Sequence, residues 1–138
     1  MNETPTLRWA AEGTPADMAA MLRCLAEEYP LRETGVTEAD VRFVHEADRE
    51  GYAIERDSGV ATVRYGKPSH AGRALGSLLA GLDDDAGSAP AFTTLGILLD
   101  CGHNATVTSE HFRKWLRRLA LFGYDTAMVY TEAGYLLP

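Results

Sequence analysis

The chain has 138 residues, of which 46% are hydrophobic and 24% are charged. This balance describes a folded chain that can bury one ordinary core, and it argues against an intrinsically disordered protein. The formal net charge of −7 argues against proteins that bind nucleic acid or an anionic membrane through a basic surface, so we expect neither partner.

No targeting or membrane-spanning segment is predicted. The start, MNETPTLRWAAEG, has no basic stretch followed by an apolar run. The longest apolar stretch, Leu95 to Leu99, is far shorter than the roughly 20 residues that cross a bilayer. The sequence therefore predicts a cytoplasmic protein without a membrane partner. Its two cysteines, Cys24 and Cys101, supply neither a disulfide framework nor a four-ligand zinc pattern, and no cofactor is expected.

The first block, residues 1 to 87, has the pattern of a small α+β domain. TLRWA alternates as a strand does, and a helical stripe follows at Met18, Met21, Leu22 and Leu25. VRFVHEA alternates again, and GYAIER and VATVRY flank a DSG turn as in a β-hairpin. A second helical stripe consists of Ala71, Ala74, Leu75, Leu78, Leu79 and Leu82. This order predicts a mainly antiparallel sheet covered by helices.

A surface connection, DDDAGSAPA at residues 83 to 91, separates this block from one with a different pattern. LGILLD and TAMVY are continuously apolar, which is typical of parallel strands buried on both faces. Between them Thr108 can cap a helix with an apolar face from Phe112 to Ala120, and Gly123 can end it. Residues 88 to 138 therefore predict a strand, helix, strand unit with a right-handed crossover, which cannot be a whole domain.

A thiol, an imidazole and an amide follow the first of these strands, at Cys101, His103 and Asn104. Read alone, the three side chains suggest two kinds of site. One is a thiol nucleophile with its base, and the other is a metal site with two of its ligands.

The stretch LGILLDCGHNATVTSEHFRKWLRRLALFGYDTAMVYTEAGY runs from a strand ending in Leu-Asp, through a turn and a helix ending in Phe-Gly-Tyr-Asp, to a strand followed by Thr-Glu. It resembles the first βαβ unit of the catalytic barrel of glycoside hydrolase family 20, in its bacterial β-N-acetylhexosaminidase branch. The matching residues are Leu99, Asp100, Cys101, Asn104, Ala120, Gly123, Tyr124, Tyr130 and Glu132. The earlier segment GYAIERDSGVATVRYGKPSHAGRALGSLLAGL is similar to the family's non-catalytic α/β domain, in which a hairpin leads into an Arg-Ala-Leu helix.

The resemblance implies a retaining, substrate-assisted hydrolase that removes terminal N-acetylglucosamine or N-acetylgalactosamine from glycans. In such enzymes the 2-acetamido oxygen attacks the anomeric carbon while a glutamic acid protonates the leaving oxygen, and an adjacent aspartate orients the acetamido group. The chain contains no Asp-Glu dipeptide, and a (β/α)8 barrel needs about 250 residues. We therefore expect an N-terminal fragment: an accessory domain over residues 1–87 and an incomplete barrel over residues 88–138, without a catalytic residue and itself inactive.

By the resemblance, the candidates for lining the sugar pocket are Asp100, His103 and Glu132, and Asp100 is equally plausible as a structural residue that orients its turn. In the wider family an arginine that contacts the terminal sugar precedes the glycine of the first strand, and Leu95 holds that place here. His103 also stands where arginine is common. Cys101 occupies a place that accepts valine or threonine in relatives, so we expect neither a nucleophile nor a metal ligand there.

The alternative is a free-standing carbohydrate-binding or protein-interaction module without catalysis. A reading frame that continues past Pro138 would favour the fragment. The expected partner of the parent enzyme is an amino-sugar glycan. Because the strands of the second block are patterned for neighbours, we also expect the fragment to self-associate through residues 95 to 130.

Overall fold

The computed structural model of the protein describes residues 6–82, 85–103 and 107–131. Within these residues, six strands form one sheet, two strands form another, and three α-helices accompany them. The elements are β1 (Leu7–Ala10), α1 (Ala16–Leu25), β2 (Leu31–Thr34), a 3-10 turn (Val36–Glu38), β3 (Val41–His45), β4 (Tyr52–Asp57), β5 (Val60–Tyr65), α2 (Pro68–Leu79), β6 (Gly87–Ser88), β7 (Gly96–Asp100), α3 (Ser109–Leu121) and β8 (Thr126–Tyr130).

The core lies between one face of the larger sheet and helices α1 and α2. Alternate strand residues point to this face, because side chains along a strand alternate between the two faces. The buried strand residues include Trp9, Val41, Phe43, Ile54, Val63 and Tyr65. The helices contribute Met18, Leu22, Leu25, Ala71, Ala74 and Leu75. An apolar stripe on each helix is thus confirmed, except that Leu82, the last residue predicted for the second stripe, lies beyond the end of α2 and is exposed.

The prediction of a mainly antiparallel sheet is wrong. The strand order is β2-β1-β3-β5-β4-β6. Strand β1 runs parallel to β2 and β3, and β3 runs parallel to β5. Only β4 is antiparallel to its neighbours, β5 and β6. An alternating pattern identifies a strand with one buried face, but it carries no information about the direction of the neighbouring strand. The chain is therefore an α/β fold with a mixed sheet.

Strand β3 begins where β1 and β2 end. β1 pairs with β2 over its whole length, but it meets β3 only through Trp9 and Val41. β3 instead pairs with β5 from Val41 to His45. Parallel strands at the same height need a long crossover connection. The stagger allows residues 35–40 to carry the chain over the end of β1 with only the 3-10 turn Val36–Glu38 and no α-helix.

The second block packs on the first through α2 and α3. Gly72 and Gly76 of α2 face the carbonyl oxygens of Ala120 and Leu121, and a Cβ at either glycine would overlap the oxygen opposite. In addition, Arg117 of α3 forms ion pairs with the two glutamates that follow α1. The two blocks are therefore in intimate contact, while the boundary between residues 87 and 88 stays a prediction.

The predicted strand, helix, strand unit is present, with β7 parallel to β8 from Gly96↔Thr126 to Asp100↔Tyr130. Thr108 caps α3, as predicted, by accepting a hydrogen bond of 3.2 Å from the backbone N–H of His111. Burial of both strand faces is not observed. Leu98 is 64% exposed and Met128 is 56% exposed, because no further strand or helix of the described chain covers their face.

Candidate functional site

The candidate site lies at the carboxyl ends of β7 and β8. Asp100 is the last residue of β7, and it is directly opposite Tyr130, the last residue of β8. The ladder continues one step further, since the backbone N–H of Cys101 donates to the carbonyl of Tyr130 at 2.8 Å. The parallel register therefore places an acidic and an aromatic side chain on the same face of the pair.

The turn after β7 brings His103 back onto Asp100. The backbone N–H of Gly102 donates to Oδ1 of Asp100 at 2.8 Å, and Nδ1 of His103 lies 2.8 Å from Oδ2 of the same carboxylate. Both carboxylate oxygens thus hold the turn, which is the structural role that the sequence left open for Asp100. The same contacts fix the position of the imidazole.

The imidazole of His103 also stacks on the phenol ring of Tyr130. The ring centroids are 5.9 Å apart and the rings are inclined by only 14°. The side chains of Asp100 and His103 are 50% and 57% exposed, so solvent and solutes reach them. Asp100, His103 and Tyr130 therefore form one surface cluster, here called the strand-end cluster, with a hydrogen-bonding acid beside a flat aromatic surface.

This cluster can bind a polar ligand. An ionised carboxylate accepts hydrogen bonds from hydroxyl groups, and an imidazole can donate or accept through its second nitrogen. Aromatic rings offer a large apolar contact area with a fixed shape. Among the described residues, no group of three or more His, Cys, Asp or Glu side chains is arranged to hold a metal ion.

The structure brings together two of the three predicted site residues, Asp100 and His103. Glu132 and Asn104 lie outside the described residues, and the role of Glu132 stays a prediction. Tyr130, which the sequence analysis does not assign to the site, joins the cluster. Tyr130 could have been predicted from its position at the end of the second parallel strand, which places it opposite Asp100.

Leu95 lies at the opposite end of β7. It exchanges hydrogen bonds with Asp125, whose Oδ1 accepts from the Leu95 N–H at 3.2 Å and whose own N–H donates to the Leu95 carbonyl at 2.9 Å. With a rise of about 3.3 Å per residue, the five-residue separation from Asp100 corresponds to roughly 16 Å. Leu95 is therefore not part of the strand-end cluster.

A separate cleft, of about 150 Å³, lies between the start of α2 and the segment before β7. His70, Arg73 and Asp125 are among the residues that line it. Nδ1 of His70 is buried and has no hydrogen-bond partner among the described residues. Burial lowers the pKa of His70, as does the nearby charge of Lys67, against smaller opposing effects of Gly51 and Asp125. No sequence pattern predicts this cleft, because its residues come from helix and loop positions that share no periodicity.

No model of a known protein family matches this chain, and no curated protein matches it as a relative. Within the part of the chain that the structure describes, none of the helices is both long enough and apolar enough to cross a membrane.

Proposed function

We propose that the chain is the N-terminal part of a β-N-acetylhexosaminidase of glycoside hydrolase family 20. In this proposal residues 1–87 are the accessory domain, and β7, α3 and β8 are the first unit of the catalytic (β/α)8 barrel. The parent enzyme removes terminal N-acetylglucosamine or N-acetylgalactosamine by retaining, substrate-assisted hydrolysis.

The observation that carries the proposal is the position of Asp100 and Tyr130, side by side at the carboxyl ends of two parallel strands. The sites of (β/α)8 enzymes are built at this end of their strands. The exposed side chains of Leu98 and Met128 lie on the same strand face as these two residues. Such a face suits the packed interior of a barrel, where inward-pointing side chains from several strands meet.

In the proposed site, the free lone pairs of the Asp100 carboxylate accept hydrogen bonds from sugar hydroxyls. His103 is held by Asp100 at 2.8 Å, and the His103–Tyr130 stack offers an apolar surface to the sugar ring. These residues bind and orient the substrate. The proton donor and the aspartate that orients the acetamido group belong to later strands, so the 138-residue chain by itself does not hydrolyse the substrate.

The alternative, a carbohydrate-binding module without catalysis, is favoured by one observation. The strand-end cluster is accessible in the chain as it stands, with about half of each of the Asp100 and His103 side chains exposed. A flat aromatic surface beside a hydrogen-bonding acid could bind a sugar without any further barrel strand.

The deciding experiment is to sequence the native reading frame beyond Pro138 and to express its full product. We expect turnover of an aryl β-N-acetylglucosaminide, and we expect Asp100→Asn to lower kcat/KM by about tenfold or more, because a hydrogen bond to a charged group is worth about 1.5–3 kcal/mol. Asp48→Asn, at an exposed position of the accessory domain, is the matched control and should leave kcat/KM unchanged.

Each of three results would reject the proposal that the parent protein is this enzyme. They are a reading frame too short for eight strands, no turnover by the full product, and equal kcat/KM for Asp100→Asn and the wild type. Saturable binding of N-acetylglucosamine to the 138-residue chain, lost in Asp100→Asn, would then support the module.

A further inference from the structure

A groove of about 540 Å³ runs between the C-terminal halves of α2 and α3. We call it the interhelix groove and define it by Tyr29, Gly76, Leu79, Leu82, Leu121 and Phe122, with Arg73 and Arg118 also lining it. Its volume falls in the range of about 300–1,000 Å³ that small-molecule sites occupy. It lies in a different part of the molecule from the strand-end cluster.

The apolar lining of the groove is open to solvent. Leu82 is 49% exposed and Phe122 is 57% exposed, whereas Leu121 beside them belongs to the core. The close approach of the two helices at Gly76 leaves a concave surface between the larger side chains. A concave apolar surface with a few polar groups is what binding sites for small molecules generally offer.

The polar groups beside the groove are two guanidinium groups, one from each helix. Arg73 belongs to α2 and Arg118 to α3. Neither forms a salt bridge with a carboxylate of the described chain, whereas Arg8, Arg23, Arg64 and Arg117 all do. Asp85 is near enough to Arg73 for the two charges to interact, but it does not line the groove. In a chain with a net charge of −7, the two guanidinium groups beside an apolar groove make it complementary to an anion. Guanidinium groups match the planar geometry of a carboxylate in particular.

We propose that the interhelix groove binds a free linear aliphatic carboxylate. Its alkyl chain would lie against Leu79, Leu121 and Phe122, and its carboxylate would accept hydrogen bonds from Arg118 and Arg73. This inference does not depend on the proposed function, because none of these residues belongs to the strand-end cluster.

A second copy of the chain is a poorer occupant. A two-fold symmetric dimer places the same patch of both copies face to face. It would therefore bring four guanidinium groups together without a carboxylate from either groove lining. A small carboxylate brings the missing charge with it.

The test is a calorimetric titration of the full chain with hexanoate, octanoate and decanoate, below the concentrations at which they form micelles. We expect saturable binding that strengthens by about fourfold for each added methylene that the groove buries. Decyltrimethylammonium, which has the same chain and the opposite charge, should bind at least tenfold more weakly than decanoate. In NMR spectra, the backbone amide signals that shift when decanoate is added should include those of Gly76, Leu79 and Phe122.

Variants test separately the contribution of the two arginine charges and that of the apolar groove lining to decanoate binding. Arg118→Gln and Arg73→Gln should each weaken decanoate binding by about tenfold, the scale of a lost hydrogen bond to a charged group. Arg113→Gln, an exposed arginine elsewhere on α3, should leave it unchanged. Leu82→Asp tests the site a second way, since a carboxylate at an exposed lining position should repel decanoate with little effect on folding.

Four outcomes would overturn the proposal. They are equal affinity for decyltrimethylammonium and decanoate, unchanged affinity in both arginine variants, amide shifts confined to the exposed face at Leu98 and Met128, and a dimer that Leu82→Asp dissociates. The last result would assign the groove to a second copy of the chain.

Discussion

Gly72 of α2 faces the carbonyl oxygen of Ala120 in α3 so closely that a Cβ on Gly72 would overlap it. The absence of a side chain at this one position lets the end of α3 rest directly on the backbone of α2. Since Leu121 of the same turn belongs to the core, the contact joins the second block of the chain to the hydrophobic core of the first.

We therefore expect Gly72→Ala to lower the free energy of unfolding. Forcing an extra methyl group into a packed contact costs about 1–3 kcal/mol, which exceeds the roughly 1 kcal/mol gained when alanine replaces a helical glycine. Urea unfolding measures the difference. Gly35→Ala is the control, because a Cβ there meets no atom within 4 Å. Equal stability of Gly72→Ala and the wild type would show that α3 shifts freely on α2.

Arg117→Met tests the polar part of the same interface. Only 13% of the Arg117 side chain is exposed, and its guanidinium pairs with Glu27 and Glu28. Methionine keeps an unbranched apolar side chain but removes the guanidinium group and both ion pairs, so we expect a loss of about 1–2 kcal/mol in the free energy of unfolding. Arg113→Met, on an exposed part of α3, should change it by less than about 0.5 kcal/mol. Similar unfolding midpoints for the two variants would mean that the glutamate pairs contribute nothing.

Stability should fall when the protein is acidified below about pH 6.5, and His70 should account for part of the fall. Its folded-state pKa is below its ordinary value of 6.5, mainly because the ring is partly buried. The unfolded chain therefore binds the proton more readily, and stability is lost as the pH falls from the unfolded pKa through the folded one. His70→Gln should make the free energy of unfolding less dependent on pH between 7 and 5. The same slope in both proteins would contradict this assignment.

The exposed face of β7 and β8 predicts self-association of the 138-residue chain. Leu98 and Met128 lie opposite each other on this face, and exposed apolar strands at an unpaired sheet edge favour pairing with another chain. Sedimentation velocity over a range of concentrations should show a reversible shift to larger species. Leu98→Lys should suppress the shift, whereas Leu82→Lys, at a similarly exposed apolar position, should not. A monodisperse monomer at every concentration would refute the prediction.

Local patterns predicted those elements that depend on local chemistry. The stripe of Ala71, Ala74 and Leu75 predicted α2, since a helix with one buried face repeats every three to four residues. The DSG turn predicted the β4–β5 hairpin, in which Ser58 and Gly59 both have positive φ, at 49° and 86°, as a tight two-residue hairpin turn requires.

Features that depend on distant partners were not predictable in this way. β2 has the sequence LRET, in which only Leu31 is buried, so its composition gives no strand signal. α1 connects β1 to β2, and its packing on the sheet brings β2 back parallel to β1. The pattern of neither strand indicates this pairing. At the strand-end cluster, Asp100 and His103 were predicted as separate candidates. Their hydrogen bond and the contribution of Tyr130 depend on the turn geometry and on the register of β7 with β8.

The staggered start of β3 has a consequence for the order in which the contacts of the protein form during folding. Because the chain crosses the end of β1 directly, every pairing among β1 to β5 joins residues at most 32 positions apart, the separation of Trp9 and Val41. A low sequence separation between contacts favours rapid folding. The five strands and both covering helices are complete by residue 79, before β7 begins. We therefore expect these contacts to form first and α3 to add to Gly72 and Gly76 of α2 in a later step, completing the core with Leu121.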